Sequence, residues 1–321
     1  MPLASVLRDR RLIVVLGKGG VGRTTVAATL ARVAAAAGKR VLLAEAAAND
    51  RMGRLFGRND PLGPSITTLA PNIDGVNITP QSSIYEYGLK VLRSELVTRA
   101  VFENRAVRGM LGAIPGLDAY ALLGKACFHT TELRDGKPRY DLVVFDGPAS
   151  GHAALMLRIP QAILNVMPKG PLAGDARAIK ELLQDPARAA LVIVTLAEDL
   201  PARETLELAA QARGPLSIPL GPVIVNAVPT DALSAPAVES VLAAWAMQQR
   251  GANAPAGDAR LHATLRMAAG VRAHRTAADR VLDGLKRDLG LPMITLPRLP
   301  TAEIGPAIVA ELTPHLADQI R

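Results

Sequence analysis

The sequence predicts an α/β protein: a doubly wound, mostly parallel sheet of about seven strands, with a helical subdomain beside it. Three observations carry that expectation. Short, continuous apolar runs recur along the chain, each closed by a loop signal, as strands buried on both faces require. Stretches rich in helix formers separate them. Apolar residues make up 49% of the 321 and charged ones 21%, enough to build a sizeable packed core.

The elements follow in order. "RLIVVL" (11–16) is an apolar run closed by glycine, read as a buried strand. "TTVAATLARVAAAAGKR" reads as a helix stopped at Gly38, a residue suited to the position just past a helix end. "RVLLAE" (40–45) is the next buried strand, completing a strand–loop–helix–strand unit of the kind that builds a parallel sheet. "YDLVVFDGP" (140–148), "AALVIVTLAED" (189–199), "LGPVIVN" (220–226) and "LPMITLP" (291–297) repeat the pattern, and "DGVNITP" (74–80) is a weaker strand candidate. Residues 84–130 are helical by pattern around an irregular "GAIPGLDAYALLGK", and 233–288 are helical on either side of the polar "RGANAPAGDAR". These two regions are expected to pack together as a helical layer on one side of the sheet. The whole chain, 1–321, is read as one domain.

Composition excludes several classes. Aromatics are 3%, so the interleaved basic and aromatic residues of single-strand nucleic-acid binders are missing. The net charge of +8 suits either an anionic partner or a solvated, Arg-rich surface. One cysteine, Cys127, allows no intrachain disulfide and no Cys-based zinc or iron–sulfur site within one chain; its expected role is packing. The five histidines (129, 152, 262, 274 and 315) show no metal-ligand spacing. No apolar run is long enough to span a membrane, and the start of the chain lacks a secretory pattern, so a cytoplasmic protein is expected.

The chemistry begins at "GKGGVGRT" (17–24), which matches G-x-x-x-x-G-K-[ST] except at the lysine. Glycines let backbone N–H groups turn onto phosphate oxygens, and a helix opening at Arg23 offers its N-terminal dipole to the same charge. The loop follows a buried strand and opens a helix, which is the context such a motif needs. Gly17, Lys18, Gly19, Gly20, Val21, Gly22, Arg23, Thr24 and Thr25 are therefore candidates for binding the phosphates of ATP or ADP, with the Thr24 hydroxyl placed for Mg²⁺.

Lys18 narrows the class. K-G-G-x-G-K-[ST] marks the deviant loop of dimeric ATPases, in which that lysine reaches the partner's phosphates; the partition and septum-placement ATPases and the nitrogenase iron protein share it. "VVFDGPASGHAALMLRIP" (143–160) then resembles the arsenite-pump and tail-anchored-protein-targeting (ArsA-like) ATPase family, whose switch reads D-x-x-P-T-G-H before a Leu-rich helix and a proline. Asp146, Gly151, His152, Leu157 and Pro160 match, Ser150 stands for the threonine, and Pro148 lies one residue before the motif's proline. The resemblance implies that Asp146 holds a water on Mg²⁺ and that Gly147, Pro148, Gly151 and His152 form a moving switch. "VTLAEDLPARETLEL" (194–208) resembles the family's V-T-x-x-E-x-x-P-x-x-E-T segment. Asn226 stands where the family places an asparagine on the adenine edge, and "LPRLP" (296–300) resembles the segment that closes over the base. "PNIDGVNITPQSSIYEYG" and "GAIPGLDAYALLGK" resemble bacterial members, so the likeness runs through nearly the whole chain.

Three departures shape the functional expectation. Arg23 replaces the loop lysine, a planar fork for a compact point charge. Ala47 falls where the family has the water-positioning aspartate. Glu45 shares its strand face but lies two residues back, about 6.6 Å at the usual rise, and Asp50 is in the following loop, from which it could bend in. The zinc-bridging C-x-x-C of eukaryotic members is absent, and the client-binding helical insert looks short. The expectation is a nucleotide-binding, dimeric ATPase that switches shape with ATP, with an unidentified client protein. Two cases stay open: slow intrinsic hydrolysis using Lys18, Arg23 and a substitute base such as Asp50, or a degenerate subunit lending Lys18 in trans to an intact paralogue in a heterodimer. The alternative is a partition-type ATPase on nucleoid DNA, which the switch block argues against, so nucleic acid is not the expected partner.

Overall fold

A computed structural model describes residues 1–46, 51–112, 116–148, 150–230, 236–249, 259–300 and 303–319, with the backbone alone described at 108, 110–112, 150–152, 236–237, 248–249 and 259. A short helix, α1 (Leu3–Asp9), leads into β1 (Leu12–Leu16); a loop then opens α2 (Arg23–Ala36), and β2 (Val41–Glu45) follows. The single turn α3 (Met52–Leu55) precedes β3 (Thr67–Ala70) and β4 (Ile73–Asn77). Four helices come next: α4 (Pro80–Leu92), α5 (Glu95–Glu103), α6 (Arg105–Gly112) and α7 (Leu117–His129). A small hairpin, β5 (Leu133–Arg134) with β6 (Lys137–Pro138), returns the chain to the sheet at β7 (Leu142–Asp146). After it come α8 (Ser150–Val166), α9 (Pro171–Gln184), β8 (Ala189–Leu196), α10 (Asp199–Arg213) and β9 (Leu220–Val228). The helical pair α11 (Pro236–Gln249) and α12 (Ala259–Leu289), then β10 (Met293–Pro297) and α13 (Pro306–Asp318), complete the order.

Local chemistry sets these boundaries. Gly22, in the left-handed region, precedes α2, and Gly38 closes it by donating to the Ala35 carbonyl at 2.9 Å. Thr79 caps α4 by accepting from the Ser82 N–H, with Pro80 in the first turn; Ser94 does the same for α5 through Val97.

The main sheet has eight strands in the order β10-β9-β8-β1-β7-β2-β4-β3, all parallel except β3, which runs antiparallel to β4. The six strong apolar runs and the weaker 74–80 candidate are all strands; β3 is the one not anticipated. The chain leaves β1 for β2 on one side and later fills β8 on the other, so the order reverses around β1. In an open α/β sheet that reversal makes the cleft at the strands' C-terminal ends the natural binding place.

Alternation builds two cores. Ile13, Val15, Leu43 and Val144 face α1, α2 and α13; Leu12, Val14, Leu42 and Phe145 face α7, α8, α9, α10 and α12. Most of "GAIPGLDAYALLGK" belongs to α7, which runs on to His129 and packs on α4, α8 and α9. α12 packs on α10 and α11, and its Leu282, Leu285 and Leu289 enter the same core as Tyr120 and Leu123 of α7. Cys127 is buried in that core. No described helix is long and apolar enough to cross a membrane.

Candidate nucleotide site

The glycine-rich loop leaves the end of β1 between β7 and β8. Gly17 is required by close approach: a Cβ there would lie 2.1 Å from the Val194 carbonyl oxygen of β8. Gly22 has φ 85°, and a Cβ would meet the Asn226 amide nitrogen at 2.2 Å. That amide is part of the loop's scaffold, because Asn226 Nδ2 donates to the Val21 carbonyl at 3.0 Å. Its next neighbour, Ala227, sits at φ 50°, a conformation a non-glycine residue holds only where its surroundings impose it. Gly19 and Gly20 are exposed, so the front of the loop opens to solvent above the start of α2.

Thr24, in the first turn of α2, donates its hydroxyl to Asp146 Oδ2 at 2.5 Å. Asp146 ends β7 and is buried; its other oxygen, Oδ1, has no hydrogen-bond partner among the described residues. Burial pushes this carboxyl above its ordinary range, against the opposing pull of Thr24 and Arg23. A hydroxyl beside a buried carboxylate with a spare oxygen fits a hydrated Mg²⁺. On the adjacent strand Glu45 is in register with Asp146, equally buried, and accepts the Arg51 N–H at 3.3 Å, which ties down the chain that enters α3.

Arg23 is turned toward the switch. Its guanidinium donates to the Gly147 carbonyl at 2.7 Å and also to the Pro148 carbonyl. Burial weakens its hold on the proton and Asp146 strengthens it, but a guanidinium stays charged throughout. Lys18 is turned toward α10, where its Nζ lies 3.1 Å from Glu204 Oε1.

Beside the loop lies a cavity of about 270 Å³ walled by Gly20, Gly22, Glu198, Asn226, His274 and Arg298, among others. A larger one of about 510 Å³, lined by Arg40, Asp74, Arg134 and Arg139, sits at the opposite end of the strands, away from the loop. The structure thus gathers Gly17–Thr24, Asp146–Pro148 and Asn226 in one place. Gly151 and His152 form the first turn of α8 by backbone. Ala47 and Asp50 lie outside the described residues. Three residues with evident positions were not singled out from sequence: Glu204, His274 and Arg298. Glu204 was visible as the second acid of the V-T-x-x-E-x-x-P-x-x-E-T segment, and Arg298 as the centre of "LPRLP"; His274 carried no signal beyond its helix.

A central parallel sheet, a glycine-rich turn between its middle strand and a helix, and a buried carboxylate facing the helix's first hydroxyl are the architecture of the P-loop nucleotide-binding class. The profile of the anion-transporting ATPase family matches residues 10–170, half of the chain, and the chain belongs to that family. It is 32% identical to the ATPase BagA of Mycobacterium tuberculosis over 235 residues, covering 69% of this chain and 66% of that protein. It is 29% identical over 218 residues to an arsenical pump-driving ATPase of Escherichia coli, 60% of this chain and 36% of that protein. An ATPase ASNA1 homolog of Paramecium tetraurelia is 26% identical over 170 residues, 52% of this chain and 48% of that protein. The chain therefore spans just under two thirds of the mycobacterial relative and a smaller share of the others.

Proposed function

We propose that this protein is a nucleotide-driven, dimeric ATPase of the cytoplasm that completes its hydrolytic site only with a partner subunit. It acts as one half of a switch on an unidentified client protein, with its helical regions as the adjoining layer. The observation that carries this is the orientation of the two cations of the loop. Arg23 is engaged with the Gly147 and Pro148 carbonyls, and Lys18 with Glu204. Neither is left to neutralise charge developing on a γ-phosphate, where electrostatic stabilisation is usually the largest catalytic contribution.

Binding is another matter. The loop's glycines and the α2 N-terminus supply phosphate donors without either cation. Thr24 would hold Mg²⁺ directly and Asp146 would accept from a metal-bound water; the ion's contribution is to neutralise β- and γ-phosphate oxygens. Asn226 keeps its side-chain oxygen as an acceptor for a base amine, its nitrogen being committed to Val21. On this reading Lys18 serves the partner's nucleotide, leaving Glu204 as the interface forms. The same residues on isolated chains give little turnover.

Steady-state ATP hydrolysis of the chain alone, and mixed with a paralogue carrying an intact loop lysine and switch aspartate, tests this. Activity of the mixture above the sum of its parts, lost in Lys18→Ala, supports the proposal. Brisk turnover by the chain alone overturns it and leaves intrinsic hydrolysis through Arg23 as the correct case.

A further inference from the structure

The cavity beside the loop holds two planar side chains: Arg298, within the 296–300 segment that resembles the one closing over the base, and His274, to which the resemblance gives no role. His274 comes from the middle of α12 and Arg298 from the residue just past β10. Both backbones are fixed. Next to His274, Arg275 donates to the Pro229 carbonyl at 2.6 Å, which pins α12 to the cavity wall, and is itself held by Asp279 one turn on at 2.8 Å. The Arg298 N–H donates to the Val228 carbonyl at 2.8 Å, extending the β9–β10 ladder. Their side chains are uncommitted: among the described residues neither imidazole nor guanidinium has a hydrogen-bond or ion-pair partner. Planar groups on anchored backbones, facing one cavity, are suited to gripping a flat ligand.

The rest of the lining tells which flat ligand. Asn226 offers one amide oxygen, Glu198 a carboxylate, and Gly20 and Gly22 the backbone of the phosphate loop. Among the described residues the lining contains no Phe, Tyr or Trp, and the imidazole of His274 is its one aromatic face. A nucleobase seated with its edge on Asn226 has no other ring to stack on. We propose that His274 and Arg298 form a clamp that stacks on the nucleobase, making α12 part of the nucleotide site. This rests on the nucleotide-binding reading above and adds a base-stacking residue from a helix otherwise remote from the loop.

Calorimetric titration of the full chain with MgADP and, separately, with pyrophosphate tests it, because pyrophosphate engages the loop and not the clamp. His274→Ala and Arg298→Ala are expected to weaken MgADP binding, roughly 5- to 100-fold for the pair of substitutions together, while pyrophosphate affinity stays as in the wild type. His274→Phe keeps the aromatic face and is expected to bind MgADP within about twofold of the wild type. MgADP affinity unchanged in both alanine variants overturns the clamp, and so does a His274→Phe variant as weak as His274→Ala. If the wild type binds neither MgADP nor pyrophosphate, the nucleotide reading itself fails and the clamp falls with it. If it binds pyrophosphate alone, the loop stands and the base site is disproved.

Discussion

The guanidinium at position 23 reaches two successive carbonyls, those of Gly147 and Pro148, through a single nitrogen, Nη1. A lysine placed there ends one bond short of that nitrogen, so it meets the two carbonyls less well. Arg23→Lys is therefore expected to lower the stability of the nucleotide-free protein by about 1–3 kcal/mol, the cost of leaving a partly buried carbonyl unmatched. The same change frees a compact charge for phosphate, so MgADP should bind more tightly. Chemical denaturation with and without MgADP checks both halves, and equal stability of the two forms without nucleotide would count against the carbonyl contact. A second residue test lies at the far end of β7. Asp141 pairs with Arg40 at 2.8 Å, and that neighbour holds its carboxyl at about 2, below the ordinary 3.8. A lowered acid pKa means the folded state prefers the ionised form. The stabilisation is present above 3.8 and is lost as the pH falls toward about 2. The pair is substantially exposed, so its worth is under about 1 kcal/mol. The stability gap between wild type and Asp141→Asn should be small at neutral pH and close across that acid window.

α2 carries the loop's helix end, and α13 holds α2 in place from behind, with Leu312 and Leu316 buried against the same core as Val26, Leu30 and Ala31. Leu316→Ala removes a fully buried side chain and is expected to cost about 2–5 kcal/mol in urea denaturation. A loss under about 1 kcal/mol would mean that α13 is dispensable to the α2 face. Element by element, what could be read from sequence follows burial. β1, β2, β7, β8 and β9 are almost wholly buried and stand out as continuous apolar runs. β3 is an antiparallel edge of three half-exposed residues and one exposed, "TTLA", whose identity as a strand comes from its pairing with β4 and from nothing in its own pattern. β5 and β6 are two exposed residues each; the Asp135-Gly136 turn between them, both at positive φ, was their one signal. The candidate site divides the same way. The loop, Asp146 and Asn226 lie on or beside buried strands with strong local motifs. The partners that orient Lys18 and wall the cavity come from α10 and α12, brought in only by tertiary packing.

At the scale of the molecule, everything in the site converges on β1, whose two neighbours, β7 and β8, come from the middle of the sequence. The loop's shape depends on Val194, Asn226 and Asp146, none of them near it in the chain. A fragment ending at Gln184, after α9, lacks β8 and so exposes one edge of β1. It should show neither a cooperative unfolding transition nor MgADP binding, and a fragment that binds would show that the loop is shaped locally. That dependence also sets an order in time. During synthesis β1 leaves the ribosome well before β8, and one of its edges stays open until β8 has followed. Its five apolar residues must wait, and long-range parallel pairing of this kind is slow to form and open to aggregation meanwhile. The nascent chain is therefore vulnerable at the strand that carries the glycine-rich loop, and its need for a chaperone should stay high until residue 196 emerges.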